Sequence, residues 1–529
     1  MVFWMCNPTN LPSTRFSLNE SDWPSNAYIR SHFGQRVLWH EYDEEGESSS
    51  RKRISSSAGG SGSCGSCGRH LTVESLEPYR RQGDQTFDEI LDLYDREGRP
   101  LRPGDDWLER AASVSNSDEK FNDQDPLSEA DQASRDILAY YSKLPTWVDK
   151  AQLKRGQDVF LAYLPAIGMS LYYRSLVPGF SIPKIAAVLQ ATAYLAPPAS
   201  KQAVHDRLMD TGAFLGAVLQ SETLDAILPH GEGWKAALQV RVLHAKVRRQ
   251  ILTRKGNRQW DVDHLGIPIN QEDLAATLLA FSTNSLWGVE FVLGRPLPLQ
   301  DRLDYLALWR YLGWLLGVDV DDEQTSDKIQ QNYSIAKREP QKLRALDPCG
   351  DGWFPSETNP VEHSHAMFQS IILHLMHPDE SSVRMSHHLL RQGRRQDGDN
   401  KQSEEETIKL KKIDSNWYYF RSFQCRRFVG NDLADALELP YRPTWWGRMI
   451  QRGFSTIYFT VIALYTVAGL PFSPLRQRLI RYHRSHMAKF MGYWTESHLE
   501  RMRKKLNIET ENRSVCPFAM ISNQNPRLE

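Results

Sequence analysis

The chain is predicted to be all-α, and three observations carry that reading. Apolar residues recur at helical spacing, as in Ile137, Leu138 and Tyr141 and then Val159, Phe160, Tyr163 and Leu164. Strand-like alternation is nearly absent. The breaks between periodic runs are proline signals, Leu144-Pro145, Leu164-Pro165 and Pro197-Pro198, where a helix must end, start or kink.

Composition narrows the function classes. Of 529 residues, 40% are apolar, enough for a sizeable core. Mean hydropathy is −0.52, as expected if polar tails and insertions dilute that core. Sixty-four basic residues balance 65 acidic ones, for a net charge of −1, which argues against a nucleic-acid partner held by bulk charge. Six cysteines, Cys6, Cys64, Cys67, Cys349, Cys425 and Cys516, are too few for a disulfide scaffold and suit a reducing compartment. The opening MVFWMCNPTN has neither a basic flank nor an apolar h-region, so no secretory signal peptide is expected and the protein reads as intracellular.

Residues 1–127 are expected to be a low-complexity, largely disordered N-terminal region. Between Gly46 and Gly68, fifteen of 23 residues are Ser or Gly, too little apolar surface to offset the entropy of ordering. Cys64-Gly-Ser-Cys67-Gly-Arg-His70 lacks the adjacent histidine of a c-type haem attachment and the further ligands of a zinc site, and reads as an inert linker. Residues 128–322 form the expected helical core, with segments near 203–220, 234–254, 271–293 and 301–318. Residues 323–415 read as an inserted, partly disordered segment, because Arg391–Thr407 contains no apolar residue. Residues 416–510 supply C-terminal helices that complete the domain, and 511–529 form a tail. No repeat of 20 to 50 residues is evident.

Phe454–Phe472 runs for nineteen residues without a charge, between Arg448 and Arg452 on one side and Arg476 and Arg478 on the other. Gly469 and Pro471 break its end, and Ser455, Thr456, Thr460 and Thr466 dilute it. It therefore reads as a buried or interfacial helix rather than a span, with membrane contact through 454–472 and Trp445-Trp446 suited to the interface.

Two predicted helices hold the candidate chemistry. Arg207, Asp210, Thr211 and Phe214 are three or four residues apart and share one helix face. An arginine and a threonine on an otherwise apolar face must find partners, since burying them unpaired costs a few kcal/mol. In the second helix His244 lies on a stripe with Val240, Val247 and Ile251, flanked by Arg241 and Arg248. Two readings of His244 stay open on spacing alone. One is a core histidine bonded to a backbone carbonyl. The other is a haem axial ligand, with nearby arginines neutralising propionates.

The segment from about Leu144 to Val318 resembles the catalytic domain shared by the rubber oxygenases (latex-clearing protein) and the endoplasmic-reticulum-bound oxygenases of the MpaB type. Leu144-Pro-Thr-Trp-Val148 resembles the family's entry segment, Arg207-x-x-x-Thr211 its distal-side motif, and Arg241-x-x-His244-Ala-x-Val-Arg248 its haem-ligand helix. Phe428-Val-Gly-Asn-Asp-Leu433 and Leu439-Pro440 are similar to the C-terminal part of its longer members. The resemblance implies a globin-like helical bundle around haem b. It implies O2 as co-substrate and an apolar, isoprenoid or terpenoid C=C bond cleaved to carbonyl products. It implies His244 as proximal iron ligand, Arg207 and Thr211 on the distal side, and Arg241 and Arg248 supporting the haem. It also implies association with the endoplasmic reticulum membrane. Asp210 departs from the lysine that some rubber oxygenases carry before the distal threonine, so a lysine gate on the iron is not expected, and a smaller alkene is at least as fitting as polyisoprene. The alternatives are a haem- or lipid-binding helical protein without turnover, and a membrane-associated scaffold with a structural histidine.

Weaker signals read blandly. His363-x-His365 and His374-x-x-His377 lack completing ligands, Asp319, Asp321 and Asp322 lack an opposed acidic motif, and Cys516-Pro517 lies in a polar tail. No Walker loop, dinucleotide fingerprint or nucleophile elbow stands in a credible context.

Overall fold

A computed structural model of the chain describes residues 73–102, 105–115, 127–192, 201–256, 259–318, parts of 361–391, and 404–506. The helices are α1 (Val73–Arg80), α2 (Gln85–Arg96), α3 (Trp107–Ser115), α4 (Glu129–Tyr141), α5 (Lys150–Ala162) and α6 (Leu164–Met169). A π-helical turn, Ser170–Leu176, then leads to α7 (Pro183–Ala191), α8 (Lys201–Leu219), α9 (Glu232–Leu252), α10 (Gln271–Phe281), α11 (Thr283–Leu293) and α12 (Leu299–Leu315). The C-terminal part holds α13 (Glu380–Leu390), α14 (Glu404–Val429), α15 (Trp445–Ala468) and α16 (Arg476–Leu506). Among the described residues there is no strand, so the fold is all-α as the periodicity predicts.

Local signals set the helix ends. Ser128, Asp149, Asn270 and Thr444 cap α4, α5, α10 and α15, each side chain accepting a hydrogen bond from a first-turn backbone N–H. Pro165 and Pro183 stand in the first turns of α6 and α7, where a missing N–H costs nothing. The predicted segment 271–293 is broken at Ser282, whose hydroxyl bonds back to the Leu278 carbonyl at 2.9 Å.

One boundary is corrected: the ordered part of the chain begins ahead of residue 128. Residues 73–115, within the region expected to be largely disordered, form α1, α2 and α3. Tyr79, Phe87, Tyr94 and Trp107 there are almost wholly buried in the main core. The described residues between 361 and 391, within the expected insertion, also join that core through Ile371, Leu389 and Leu390. Helix α14 begins at Glu404, inside the stretch read as a polar loop. Cys64, Cys67, His70, Asp319, Asp321, Asp322, His363, His365, His374 and Cys516 lie outside the described residues, as does the tail 511–529.

Helix α9 sits at the centre, touching α2, α3, α8 and α12. Helix α12 lies along α5, and Gly156 permits the approach: a Cβ there would come 2.4 Å from the Asp304 carbonyl oxygen. Helix α16 packs on α5 and α8. It is tied to α12 by Arg476, whose guanidinium donates to both carboxylate oxygens of Asp301 at 2.9 and 3.0 Å.

Candidate active site

Helices α8 and α9 carry the candidate residues and pack through small side chains. Ala213 and Ala217 of α8 are buried with Ala236 of α9 and Met491 of α16. A Cβ on Gly233, at the start of α9, would lie 3.0 Å from the Ala217 carbonyl near the end of α8, so the two helices run antiparallel. His244 lies eleven residues beyond Gly233, and Asp206 eleven residues before Ala217. Arg207 and His244 therefore lie towards the same end of the pair.

His244 is half-buried, and its Nδ1 is buried with no hydrogen-bond partner. Burial, reinforced by the positive charge of Arg248 and opposed by Asp84, pushes its pKa down to about 4, so the ring is neutral near pH 7. Two other histidines show what a satisfied ring does in this fold. The Nδ1 of His483 is 2.6 Å from the Leu161 carbonyl oxygen. His387 is bonded to the Leu437 carbonyl and the Tyr418 hydroxyl, each at 2.9 Å. The carbonyl-bonded core histidine, one of the two readings of His244, is thus realised elsewhere and not at His244. A neutral imidazole with an unsatisfied buried nitrogen, a feature that His205 Nδ1 shares, fits an iron ligand.

On α8, Arg207, Thr211 and Phe214 are half-buried, while Asp210 is buried at 4% exposure. The Thr211 hydroxyl donates to the Arg207 carbonyl oxygen at 3.3 Å, a bond within its own helix. Leu208 and Phe214 pack against the main core, and Met209 against the small alanine cluster, so the face is apolar around its polar pair. Gly212 and Gly216 make room for Phe490 and Met491 of α16, for a Cβ on Gly216 would come within 2.5 Å of the Met491 sulfur.

The structure pairs Arg241 and Arg248 with buried or partly buried carboxylates. Arg241 donates from Nε to Asp84 Oδ2 at 2.5 Å and from Nη2 to Asp84 Oδ1 at 2.9 Å, and also meets the Tyr141 hydroxyl. The rings of Phe87 and Tyr141 stand 5.0 and 4.9 Å from its guanidinium carbon. Arg248 donates to Asp88 Oδ1 at 2.5 Å and to the carbonyls of Pro268 and Ile269 at 3.2 and 2.9 Å. Both guanidiniums are neutralised by carboxylates from α2 and the residue before it. Burial raises Asp88 to about 6, with Arg248 opposing and Asp84 adding to the rise.

Glycines make this arrangement fit. A Cβ on Gly83 would meet Asp88 Oδ2 at 2.5 Å and Arg248 Nε at 2.7 Å. Gly317 has φ +76°, and a Cβ there would collide with the Arg241 guanidinium. Sequence reasoning missed Asp84 and Asp88, although a signal was present. Phe87, Ile90, Leu91 and Tyr94 fall at i, i+3, i+4 and i+7, the spacing of an amphipathic helix, inside a region judged by its Ser/Gly-rich portion. Among the described residues no cluster of three or more His, Cys, Asp or Glu is arranged to hold a metal ion by itself.

Residues 179–457 match the family model described as ER-bound oxygenase mpaB/B'/Rubber oxygenase, catalytic domain. The chain is 28% identical over 227 residues to a rubber oxygenase of Streptomyces sp. (strain K30), an alignment covering 40% of this chain. It spans about half, 48%, of that relative's length. Among solved structures, latex clearing protein LCP in the closed state aligns over 82% of this chain and 94% of its own, at 17% identity and a TM-score of 0.46, a likeness too loose to bear on the site.

Proposed function

Because this chain belongs to the family of ER-bound mpaB-type oxygenases and rubber oxygenases, we propose that it is a haem-dependent oxygenase. It acts with O2 on the C=C bond of an apolar isoprenoid or terpenoid and releases carbonyl products. The observation that supports the cofactor most directly is the neutral ring of His244, whose buried Nδ1 has no hydrogen-bond partner.

In this reading His244 holds the iron of haem b through a neutral imidazole, on the helix that the Arg241–Asp84 and Arg248–Asp88 pairs fix in place. The haem, when bound, supplies the iron at which O2 is activated. Arg207 donates hydrogen bonds where negative charge develops on oxygen, an effect of a few kcal/mol in comparable sites. Thr211, one turn along, orients the same group by turning its hydroxyl from the Arg207 carbonyl. Met209 and Phe214 give an alkene an apolar bed and exclude water. The protein works inside the cell at the endoplasmic reticulum membrane, with membrane contact through residues 454–472.

The test is an absorption spectrum of purified protein followed by oxygen-uptake assays. A Soret band in the parent and its loss in His244→Ala, with helical content retained and with His387→Ala still loaded, is the expected result. Full haem occupancy in His244→Ala overturns the ligand. Haem without O2 consumption on any candidate alkene leaves a binding protein and overturns the enzyme. Label from 18O2 is expected in the carbonyl products.

A further inference from the structure

Helix α15 is an amphipathic helix turned inside out. Its inward face carries Gln451, Ser455 and Thr466 beside Phe459 and Ile462, all buried. Gln451 Nε2 donates to the Tyr419 carbonyl at 2.6 Å, and Arg427 donates to the Ser455 carbonyl and hydroxyl at 3.1 and 2.9 Å. Its outward face carries Trp446, Ile450, Phe454, Ile457, Val461 and Leu464, spaced by three or four and each more than two-fifths exposed. Phe472, at the turn that follows, is 73% exposed. Of the 19 large hydrophobic residues exposed among the described residues, fifteen lie between Tyr441 and Tyr493, so the exposure is one feature and not scatter.

Charge says what covers it. From Leu439 to Thr495 the sequence has no acidic residue and eight basic ones. Arg448, Arg452, Arg478, Arg481 and Lys489 of this stretch are exposed. No described helix is long and apolar enough to cross a membrane, so this helix is suited to lie in the interface and not through it.

We propose that the outward face of α15 and the Phe472 turn dock in plane on an anionic phospholipid surface, the apolar stripe entering the acyl boundary and the arginines meeting the headgroup phosphates. This deepens the membrane contact proposed above and is independent of the haem chemistry. Helix α16 leads from the docked turn to Gly212 and Gly216 of α8, so the lipid-facing hairpin and the helix of Arg207 are directly joined.

Full-length protein is sedimented with phosphatidylcholine vesicles, with and without phosphatidylserine, and its absorption spectrum is recorded in the same preparation. Binding is expected to require the anionic lipid and to fall with added salt. Arg448→Gln and Arg452→Gln should each weaken it roughly fivefold. Phe454→Ser with Ile457→Ser should abolish it without loss of helical content, since both side chains are exposed. Equal binding to neutral vesicles overturns the charge assignment. No vesicle binding, together with a concentration-dependent dimer that the serine pair dissolves, overturns the proposal in favour of a second copy of the chain. Vesicle binding by a protein that carries no haem sinks the oxygenase reading and leaves this surface standing.

Discussion

Arg241 and Asp84 stand 157 residues apart in the chain and form a buried two-point ion pair, with Nε–Oδ2 2.5 Å and Nη2–Oδ1 2.9 Å. Both side chains are about 95% buried. The pair fixes the segment before α2 against α9, the helix of His244, and Arg248–Asp88 repeats the tie two turns further on. A charge buried this deeply is tolerable only while its partner stays in place.

Removing one partner should therefore cost far more than removing a surface pair. Asp84→Ala is expected to destabilise the protein by ~3–5 kcal/mol, because it strands a buried guanidinium. Asp84→Asn, which keeps a hydrogen-bonding carbonyl oxygen, should cost less. Urea denaturation followed by circular dichroism reads both, and an Asp84→Ala loss under ~1 kcal/mol would show that the tie carries little.

Arg207 and Asp210 should separate by type of damage. Arg207 is half-buried, so Arg207→Ala should keep the fold and the haem while lowering turnover by roughly a hundredfold or more. Asp210 is buried, so Asp210→Ala should act chiefly on stability, through the polar contacts it leaves unmet. Paired measurements of melting temperature and kcat decide it, and an unchanged kcat in Arg207→Ala would remove this arginine from the reaction.

Glycine substitutions test the packing around the buried arginines. Gly83→Ala would push a methyl into Asp88 and Arg248 and should destabilise by ~1–3 kcal/mol. At Gly168, inside α6, a Cβ meets nothing within 4 Å, so Gly168→Ala should stabilise by roughly 0.5–1 kcal/mol. Thermal melts of the two variants should move in opposite directions.

The contribution of Glu272 to stability should run against ordinary acid unfolding over one window. Glu272 and Asp273 share Arg80 at 2.6 and 3.0 Å. Burial raises Glu272 from 4.5 to about 7, with Arg80 opposing and Asp273 adding. Over that interval the folded state holds a proton that the unfolded chain has released. Its contribution to stability is complete below pH ~4.5 and is lost as pH rises through ~7. Glu272→Gln should flatten that part of the profile, read as urea midpoints at intervals across the window. His244, held down to about 4, contributes a slope of the opposite sign in both proteins, so the difference between them is the readout: identical profiles in the parent and Glu272→Gln would mean that Arg80 holds Glu272 ionised.

Much of the fold was legible because helical periodicity is local. The segments read near 203–220, 234–254 and 301–318 correspond to α8, α9 and α12 within two or three residues, and His244 and Arg207 were found on them. The π-turn at Ser170–Leu176 was not, since it forms where Arg174 donates to Asn284 Oδ1 at 2.9 Å and to the Phe428 carbonyl, both more than 100 residues away. Helices α1–α3 were missed for another reason: composition averaged over 1–127 hid the periodicity of Gln85–Arg96.

The sequence by itself determined the helical class, the helix that bears His244 and the helix that bears Arg207, because spacing of 3.6 residues is written in neighbouring positions. Tertiary structure alone decided what the charges do and which way the faces point. Arg241 and Arg248 have the same spacing whether they meet propionates or Asp84 and Asp88, and only the docking of α2 selects the carboxylates. Helix α15 has one polar and one apolar face in any reading. That the polar face turns inward depends on Tyr419 and Arg427 being there to satisfy it, since buried polar groups are tolerated only where distant parts of the chain supply their hydrogen bonds.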